Sequence, residues 1–214
     1  MSTKHQVHNL IILDESGSMG SIQLPVIAGF NELVQTIQGV EQRFPEQEHF
    51  ISLVSFNGAG RKSLMWKVPV AKLKQIDATS YQPRENTPLF DAMGDSINKL
   101  KIDLYTAGAH NVLVTVFTDG QENASKEYTA SQIKKMVEEL QKHNWTFTYI
   151  GTDHDVNSVA VSISITNIMK FERNKSSIKD MFAKESSARF AYSTKIRMKS
   201  DTSSNYYEDE KNES

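Results

Sequence analysis

Residues 7–20 read VHNLIILDESGSMG and join an apolar, strand-like run to a polar turn that contains glycine. The run Val7–Leu13 is rich in β-branched and aliphatic residues, which is typical of a strand covered on both faces. Asp14 follows this run directly, and Ser16 and Ser18 come at alternate positions after it. Because alternate residues of an extended turn point the same way, we expect the three side chains to direct oxygens at one point. Ligand sets made of oxygens favour a hard cation such as Mg²⁺, Mn²⁺ or Ca²⁺.

The rest of the chain alternates short apolar runs with segments of helical periodicity. The predicted later strands are 50–56, 112–118, 145–151 and 166–171, and the predicted helices are 27–37, 89–104, 133–140 and 177–189. Thr129 and Gln132 predict a capping box at the start of the third helix. The turn at 57–63 and the apolar segment 64–70 predict a hairpin whose second strand lies at a sheet edge. The fold class predicted is therefore α/β, with a doubly wound, Rossmann-like, mostly parallel sheet, one antiparallel edge strand and helices on both faces.

Length and composition restrict the classes of protein that fit. The 214 residues suit a single domain, which we expect to span residues 1–200. Residues 201–214 carry five acidic residues against one lysine, and we expect them to form a mobile acidic tail that buries little surface. A net charge of -2 gives no reason to expect a nucleic-acid or membrane partner. The absence of cysteine excludes disulfides, thiolate metal sites and a cysteine nucleophile.

The apolar runs also bear on the location of the protein. None approaches the roughly 20 residues needed to cross a bilayer. The polar start Met1–Asn9 leads into the short run 10–13, which is too short for a signal-peptide core of about 7–15 residues. We therefore expect a cytoplasmic protein.

Two later segments are predicted to reach the point marked by Asp14. In a doubly wound sheet, ligands bind at the carboxyl ends of the strands where the strand order reverses. Asp119 follows the strand 112–118, so the two carboxylates converge if the two strands are neighbours. Thr87 precedes Pro88 and a strongly periodic helix, where it can cap the helix, offer a hydroxyl to a cation, or do both.

These three parts resemble the metal-ion-dependent adhesion site (MIDAS) of von Willebrand factor A (vWA) domains. The resemblance rests on Asp14-x-Ser16-x-Ser18 after a strand, Thr87 opening a helix and Asp119 ending a strand, and none of the five residues departs from the family pattern. It implies that these five residues hold a divalent cation, usually Mg²⁺, with Asp119 often binding through water. It also implies a bacterial-type, stand-alone intracellular member that binds a partner protein as an adaptor or assembly subunit. An Asp or Glu of the partner would complete the metal coordination, without catalysis by this chain.

A metal-assisted or serine hydrolase is the alternative interpretation of the same turn. Residues 16–18 follow a strand and precede a helix, as a nucleophile elbow does, although serine stands where the elbow has its first glycine. Ser18 would then act with Asp119 and with His143 or His154. His154 fits this role better, because it follows a strand at the carboxyl end of the sheet. A phosphoryl-transfer enzyme would need a second Asp where the chain has serine.

Two further carboxylates, Glu15 and Glu122, lie near the predicted site. We expect both to be solvated loop residues. Either could also tune the charge of the site or its metal preference.

Overall fold

The computed structural model describes residues 4–152 and 156–208, and a six-stranded sheet runs through the described part in the order β3-β2-β1-β4-β5-β6. The strands are β1 (His5–Asp14), β2 (Gln47–Asn57), β3 (Gly60–Pro69), β4 (His110–Phe117), β5 (Trp145–Thr152) and β6 (Asn167–Phe171). The α-helices are α1 (Gln23–Arg43), α2 (Leu89–Asp103), α3 (Ala130–Leu140), α4 (Val156–Ser162) and α5 (Lys175–Met198). The predicted doubly wound α/β fold is confirmed.

The first strand lies at the centre of the sheet. It pairs in parallel with β2 on one side and with β4 on the other, so the chain reverses its winding direction at β1. Strand β3 runs antiparallel to β2 at the edge, as the hairpin pattern predicted. The pairing of β3 is irregular near Leu53, and Lys67 has a φ of 48°, so the edge departs from a regular ladder.

Alternate residues of β1 face two separate hydrophobic cores. Leu10 and Ile12 pack with α2, α3 and α4, whereas Ile11 and Leu13 pack with α1 and α5. This two-sided burial explains why the run in β1 is almost continuously apolar, since neither face meets water.

Helices α1, α3 and α5 extend beyond the segments that periodicity predicted, whereas α2 ends one residue before the predicted end at 104. The predicted capping box of α3 is present: the Thr129 hydroxyl accepts from the Gln132 N–H, and the Gln132 side chain accepts from the Thr129 N–H. The sequence pattern missed α4, because a helix of seven residues is too short to show a period. Within residues 4–152 and 156–208, no helix is long and apolar enough to span a membrane.

The structure differs from the expected tail at residues 201–208. Tyr206 is only 4% exposed, and the hydroxyls of Tyr206 and Tyr207 donate to the two oxygens of Glu185, at 3.2 and 2.9 Å. Glu185 is buried in α5 and forms a 2.8 Å ion pair with Arg189. This segment packs because its tyrosines satisfy a carboxylate that would otherwise be buried with unfilled acceptor positions. The remaining residues of the predicted tail lie outside the described part of the chain.

Two histidines are buried near the amino-terminal end of the sheet. His8 is 2% exposed and stacks on Phe50 with ring centroids 5.0 Å apart, and His49 is 3% exposed. Burial lowers the pKa of His8 to about 3, helped by the charges of His110 and Lys67. Burial likewise lowers the pKa of His49 to about 3. Both side chains are therefore neutral in the folded protein at neutral pH.

We predict that acidification destabilises the fold through these two histidines. The unfolded chain binds a proton on each below a pKa of about 6.5, whereas the folded chain does not until about pH 3. Above about pH 7 the two histidines do not lower the free energy of unfolding, because they are neutral in both the folded and the unfolded chain. As the pH falls from about 6.5 to 3, each histidine lowers the free energy of unfolding by about 1.4 kcal/mol for each pH unit.

Urea unfolding from pH 7 to 5 measures this slope. The variant His8→Gln should lose the contribution of one histidine, and comparison with the unmodified protein cancels every other titrating group. Equal slopes for the two proteins would show that His8 titrates normally in the folded state.

Candidate functional site

The predicted site residues share the carboxyl-terminal edge of the sheet, where three separate segments meet. They are Asp14, Ser16, Ser18, Thr87 and Asp119. Strand β1 pairs with β4 in parallel, with Leu13 opposite Phe117, so the residues that follow both strands leave the sheet at the same edge. Ser18 lies in a short 3-10 helix over Gly17–Ile22 that precedes α1.

Hydrogen bonds connect the two carboxylates of the site. Asp14 is fully buried, and its Oδ1 accepts from the Ser16 N–H at 2.7 Å while its Oδ2 accepts from the Thr118 hydroxyl at 2.6 Å. The Ser16 and Ser18 hydroxyl oxygens lie 3.1 Å apart. Ser18 in turn donates to Asp119 Oδ1 at 2.5 Å. The turn after β1 and the end of β4 thus form one connected polar cluster.

Gly120 shows that oxygens from all three segments surround a common point. A Cβ atom placed on Gly120 would lie 3.0 Å from Thr87 Oγ1, 3.5 Å from Ser18 Oγ and 3.6 Å from Asp14 Oδ2. A side chain at this position would therefore crowd the space between these oxygens.

The loop before α2 is held against the turn after β1 by backbone hydrogen bonds. The Gly17 N–H donates to the Glu85 carbonyl at 3.0 Å, and the Arg84 N–H donates to the Glu15 carbonyl at 2.8 Å. Asn123 fixes the other side, because its Oδ1 accepts from the Thr87 N–H at 3.0 Å. These contacts place the Thr87 hydroxyl beside the two carboxylates.

Thr87 does not cap α2 with its side chain. The helix has Pro88 as its N-cap residue, with no side-chain cap hydrogen bond. The N–H of Phe90 instead donates to Glu122 Oε2 at 2.9 Å. Glu122 is therefore a capping and loop-forming residue, which corrects the expectation of a solvated side chain, and it leaves the Thr87 hydroxyl available for other partners.

Glu15 is also not the solvated residue that the sequence predicted. It is fully buried, and its carboxylate accepts from the Ser55 hydroxyl at 2.7 Å, the Lys62 ammonium at 2.9 Å and the Gln82 N–H at 2.6 Å. With its acceptor positions filled by β2, β3 and the loop before α2, Glu15 holds the turn in place and does not face the cluster around Gly120.

The carboxylates of the cluster differ in how their charge is balanced. Burial raises the pKa of Asp14 to about 6, although hydrogen bonds from Thr118 and Ser16 oppose the shift. Burial also raises the pKa of Asp119, while the Ser18 hydroxyl and the charge of Arg173 oppose it. Within the described residues Asp14 has no ion-pair partner, whereas Asp119 Oδ2 lies 3.1 Å from Arg173 Nε. No sequence pattern indicated Arg173, because it lies 54 residues from Asp119 along the chain.

The donor chemistry of the cluster fits a hard divalent cation. The residues that the structure describes include no group of three or more His, Cys, Asp or Glu side chains suited to a metal. The cluster instead combines two carboxylates with three hydroxyls, which are oxygen donors of the kind that Mg²⁺ binds together with water. Asp14, buried and without an ion-pair partner in the described residues, would gain a counter-charge from such a cation.

The geometry does not assemble the alternative hydrolase site within the described residues. His143 lies just before β5, at the opposite end of the sheet from Ser18, and its Nδ1 contacts the Glu139 carbonyl at 2.9 Å. His154 lies outside the described residues. In residues 4–152 and 156–208, no histidine forms a hydrogen bond with Ser18 or Asp119, whose hydrogen-bonding partners include each other.

One protein-family model matches the chain. The family model for the von Willebrand factor type A domain matches residues 10–189, which include all five site residues. A comparison with curated protein sequences found no match.

Solved structures share the fold at low sequence identity. The proximal thread matrix protein 1 from the mussel byssus superimposes with a TM-score of 0.56 and 12% identity, over 86% of this chain and 46% of that one. The vWF domain of the type V pili tip protein Mfa5 from Porphyromonas gingivalis gives 0.53 and 10%, over 85% and 95% of the two chains. The pilus adhesin SpaC from Lactobacillus rhamnosus GG gives 0.59 and 11%, over 88% and 30%. The chain thus spans about half the length of the mussel protein and less of SpaC.

Glu15 provides a prediction about the turn itself. Replacement of Glu15 by Ala removes three hydrogen bonds to a buried charged group and should lower the free energy of unfolding by about 3 kcal/mol. Chemical denaturation measures the change. The variant Glu32→Ala, on an exposed position of α1, is the control and should change stability by less than about 0.5 kcal/mol. A Glu15→Ala variant as stable as the control would show that Glu15 does not stabilise the turn.

Proposed function

Because the chain belongs to the von Willebrand factor type A domain family, we propose that it is a protein-binding module that depends on a divalent metal. In this proposal Asp14, Ser16, Ser18, Thr87 and Asp119 hold the cation, with Mg²⁺ as the first choice and Mn²⁺ or Ca²⁺ as alternatives. An Asp or Glu of a partner protein completes the coordination, and the domain acts as an adaptor or assembly subunit without catalysis of its own.

The observation that carries the proposal is the convergence of oxygens at Gly120. Thr87, Ser18 and Asp14 come from three segments, yet an atom at the Cβ position of Gly120 would lie within 3.0–3.6 Å of an oxygen of each. Glycine keeps that point open, and Asp14 and Asp119 supply negative charge around it.

The chemistry of the cation explains why a carboxylate partner fits. Two carboxylates at most neutralise a divalent ion, so an additional carboxylate from outside meets a metal that is still electrophilic. When bound, the cation supplies a Lewis-acidic centre for that oxygen. Hydrogen bonds from Ser16 and Thr118 orient Asp14, and the Ser18 hydroxyl orients Asp119.

The location of the chain in the cell stays a prediction. We propose the cytoplasm. Two of the structures with this fold come from pilus proteins, so the fold itself is compatible with other locations.

Metal binding is tested by thermal unfolding with and without Mg²⁺ or Mn²⁺. A cation at about a hundredfold its dissociation constant stabilises the fold by about 2.7 kcal/mol, which corresponds to a rise in Tm of about 5–10 °C for a chain of this size. Asp14→Asn removes the buried charge but keeps the shape, and it should abolish the shift. Asp77→Asn, in an exposed loop, is the matched control and should keep it. An absence of any shift in the unmodified protein would refute the site.

Carboxylate binding is tested with acetate as the probe. Mn²⁺ held by the protein should shorten the NMR relaxation time of the acetate methyl protons more than free Mn²⁺ does, because acetate reaches the metal. The Asp14→Asn variant should give only the effect of free Mn²⁺. If the protein binds Mn²⁺ without any effect on acetate beyond that of free Mn²⁺, the metal does not accept an outside carboxylate.

Gly120 provides an independent prediction. The variant Gly120→Ala places a methyl group 3.0 Å from Thr87 Oγ1, so Thr87 must move and the cation should bind at least about tenfold more weakly. Calorimetric titration with Mn²⁺ measures the change. Gly20→Ala, in the 3-10 helix after β1 with nothing within 4 Å of the added atom, should bind as the unmodified protein does. Equal affinity for both variants would place the metal elsewhere.

A further inference from the structure

Arg173 contacts Asp119, although it belongs to a segment of the chain that the proposed metal site does not include. It lies between β6 and α5, directly before Asn174, the N-cap residue of α5. Its Nε lies 3.1 Å from Asp119 Oδ2, and its Nη2 donates to the Asp119 carbonyl at 2.7 Å. One guanidinium thus contacts both the side chain and the backbone of a proposed metal ligand.

The two members of this ion pair differ in exposure. The side chain of Asp119 is fully buried, whereas that of Arg173 is 47% exposed. A cleft of about 230 Å³ beside Asp119 is lined in part by Thr152, Val156 and Arg173. The guanidinium therefore borders both solvent and this cleft.

The charges around Asp119 place the guanidinium in competition with a cation. Asp119 Oδ1 already accepts from Ser18, and Oδ2 faces Arg173, so the carboxylate is neutralised within the chain. A divalent cation that binds the same carboxylate meets a positive charge a few ångströms away. At about 6 Å and an effective dielectric constant near that of water, this repulsion weakens cation binding by about tenfold.

We propose that Arg173 is a built-in competitor for the cation, which balances the charge of Asp119 in the metal-free protein and lowers the affinity for the metal. This inference rests on the proposed function, because it concerns the same site. It makes Arg173 a residue that regulates metal loading. A partner carboxylate that approaches the loaded site would also meet the displaced guanidinium, so loading and partner binding favour each other.

Calorimetric titration of the full chain with Mn²⁺ alone tests the inference. Arg173→Met removes the charge and keeps an aliphatic stem, and it should bind Mn²⁺ about five- to tenfold more tightly than the unmodified protein. Arg173→Lys keeps the charge and should stay within about twofold. Lys170→Met removes a positive charge from an exposed position of β6 and is the matched control, with unchanged affinity expected. Arg173→Gln removes the same charge and replaces Arg173→Met if that variant does not fold.

A second readout separates competition from simple positioning of Asp119. Without metal, Arg173→Met should have a lower Tm than the unmodified protein, because Asp119 loses its counter-charge. Saturating Mn²⁺ should reverse most of that loss. Equal or weaker Mn²⁺ binding by Arg173→Met would overturn the inference and show that Arg173 only positions Asp119. If the unmodified protein itself binds no Mn²⁺, the proposed function fails instead, so the two failures are distinguishable.

Discussion

The parallel pairing of β1 with β4 is the constraint on which the candidate site depends. With Leu13 opposite Phe117, the chain must place Asp14 and Asp119 at one edge of the sheet. This pairing follows from the doubly wound topology, in which the chain turns back across β1 to form its second half. It brings together two carboxylates that are 105 positions apart in the numbering (119 − 14). The other contacts of the site tie the loop before α2 to that edge.

Three buried acids at this edge differ in how their charge is balanced. Glu15 accepts from Ser55, Lys62 and Gln82, so the protein balances its charge completely. Asp119 forms an ion pair with Arg173, whose side chain is half exposed. Asp14 receives hydrogen bonds but has no ion-pair partner among the described residues, and burial raises its pKa. This gradation separates a structural carboxylate from a carboxylate that the proposed cation would neutralise, although all three lie at the same edge of the sheet.

The sequence predicted the features that local patterns encode. Apolar runs indicated the strands, the Thr129 capping box marked a helix start, and the order of polar residues after two strands indicated which side chains meet. Contacts between distant segments were not predictable in this way. The burial of Glu15 depends on Lys62 of the edge hairpin, and Glu122 caps a helix that begins 33 positions earlier (122 − 89). Such partners leave no mark in a single sequence, because each residue alone fits a solvated loop.

The position of a bound cation in a crystal structure tests the central claim most directly. Crystals of the protein grown with Mn²⁺ should give one strong anomalous-scattering peak at the carboxyl-terminal edge of β1 and β4, within coordination distance of oxygens of Asp14 and Ser18. The same crystals should show the Arg173 guanidinium farther from Asp119 Oδ2 than 3.1 Å. An Mn²⁺ peak bound elsewhere, with no peak between Asp14, Ser18 and Thr87, would contradict the account.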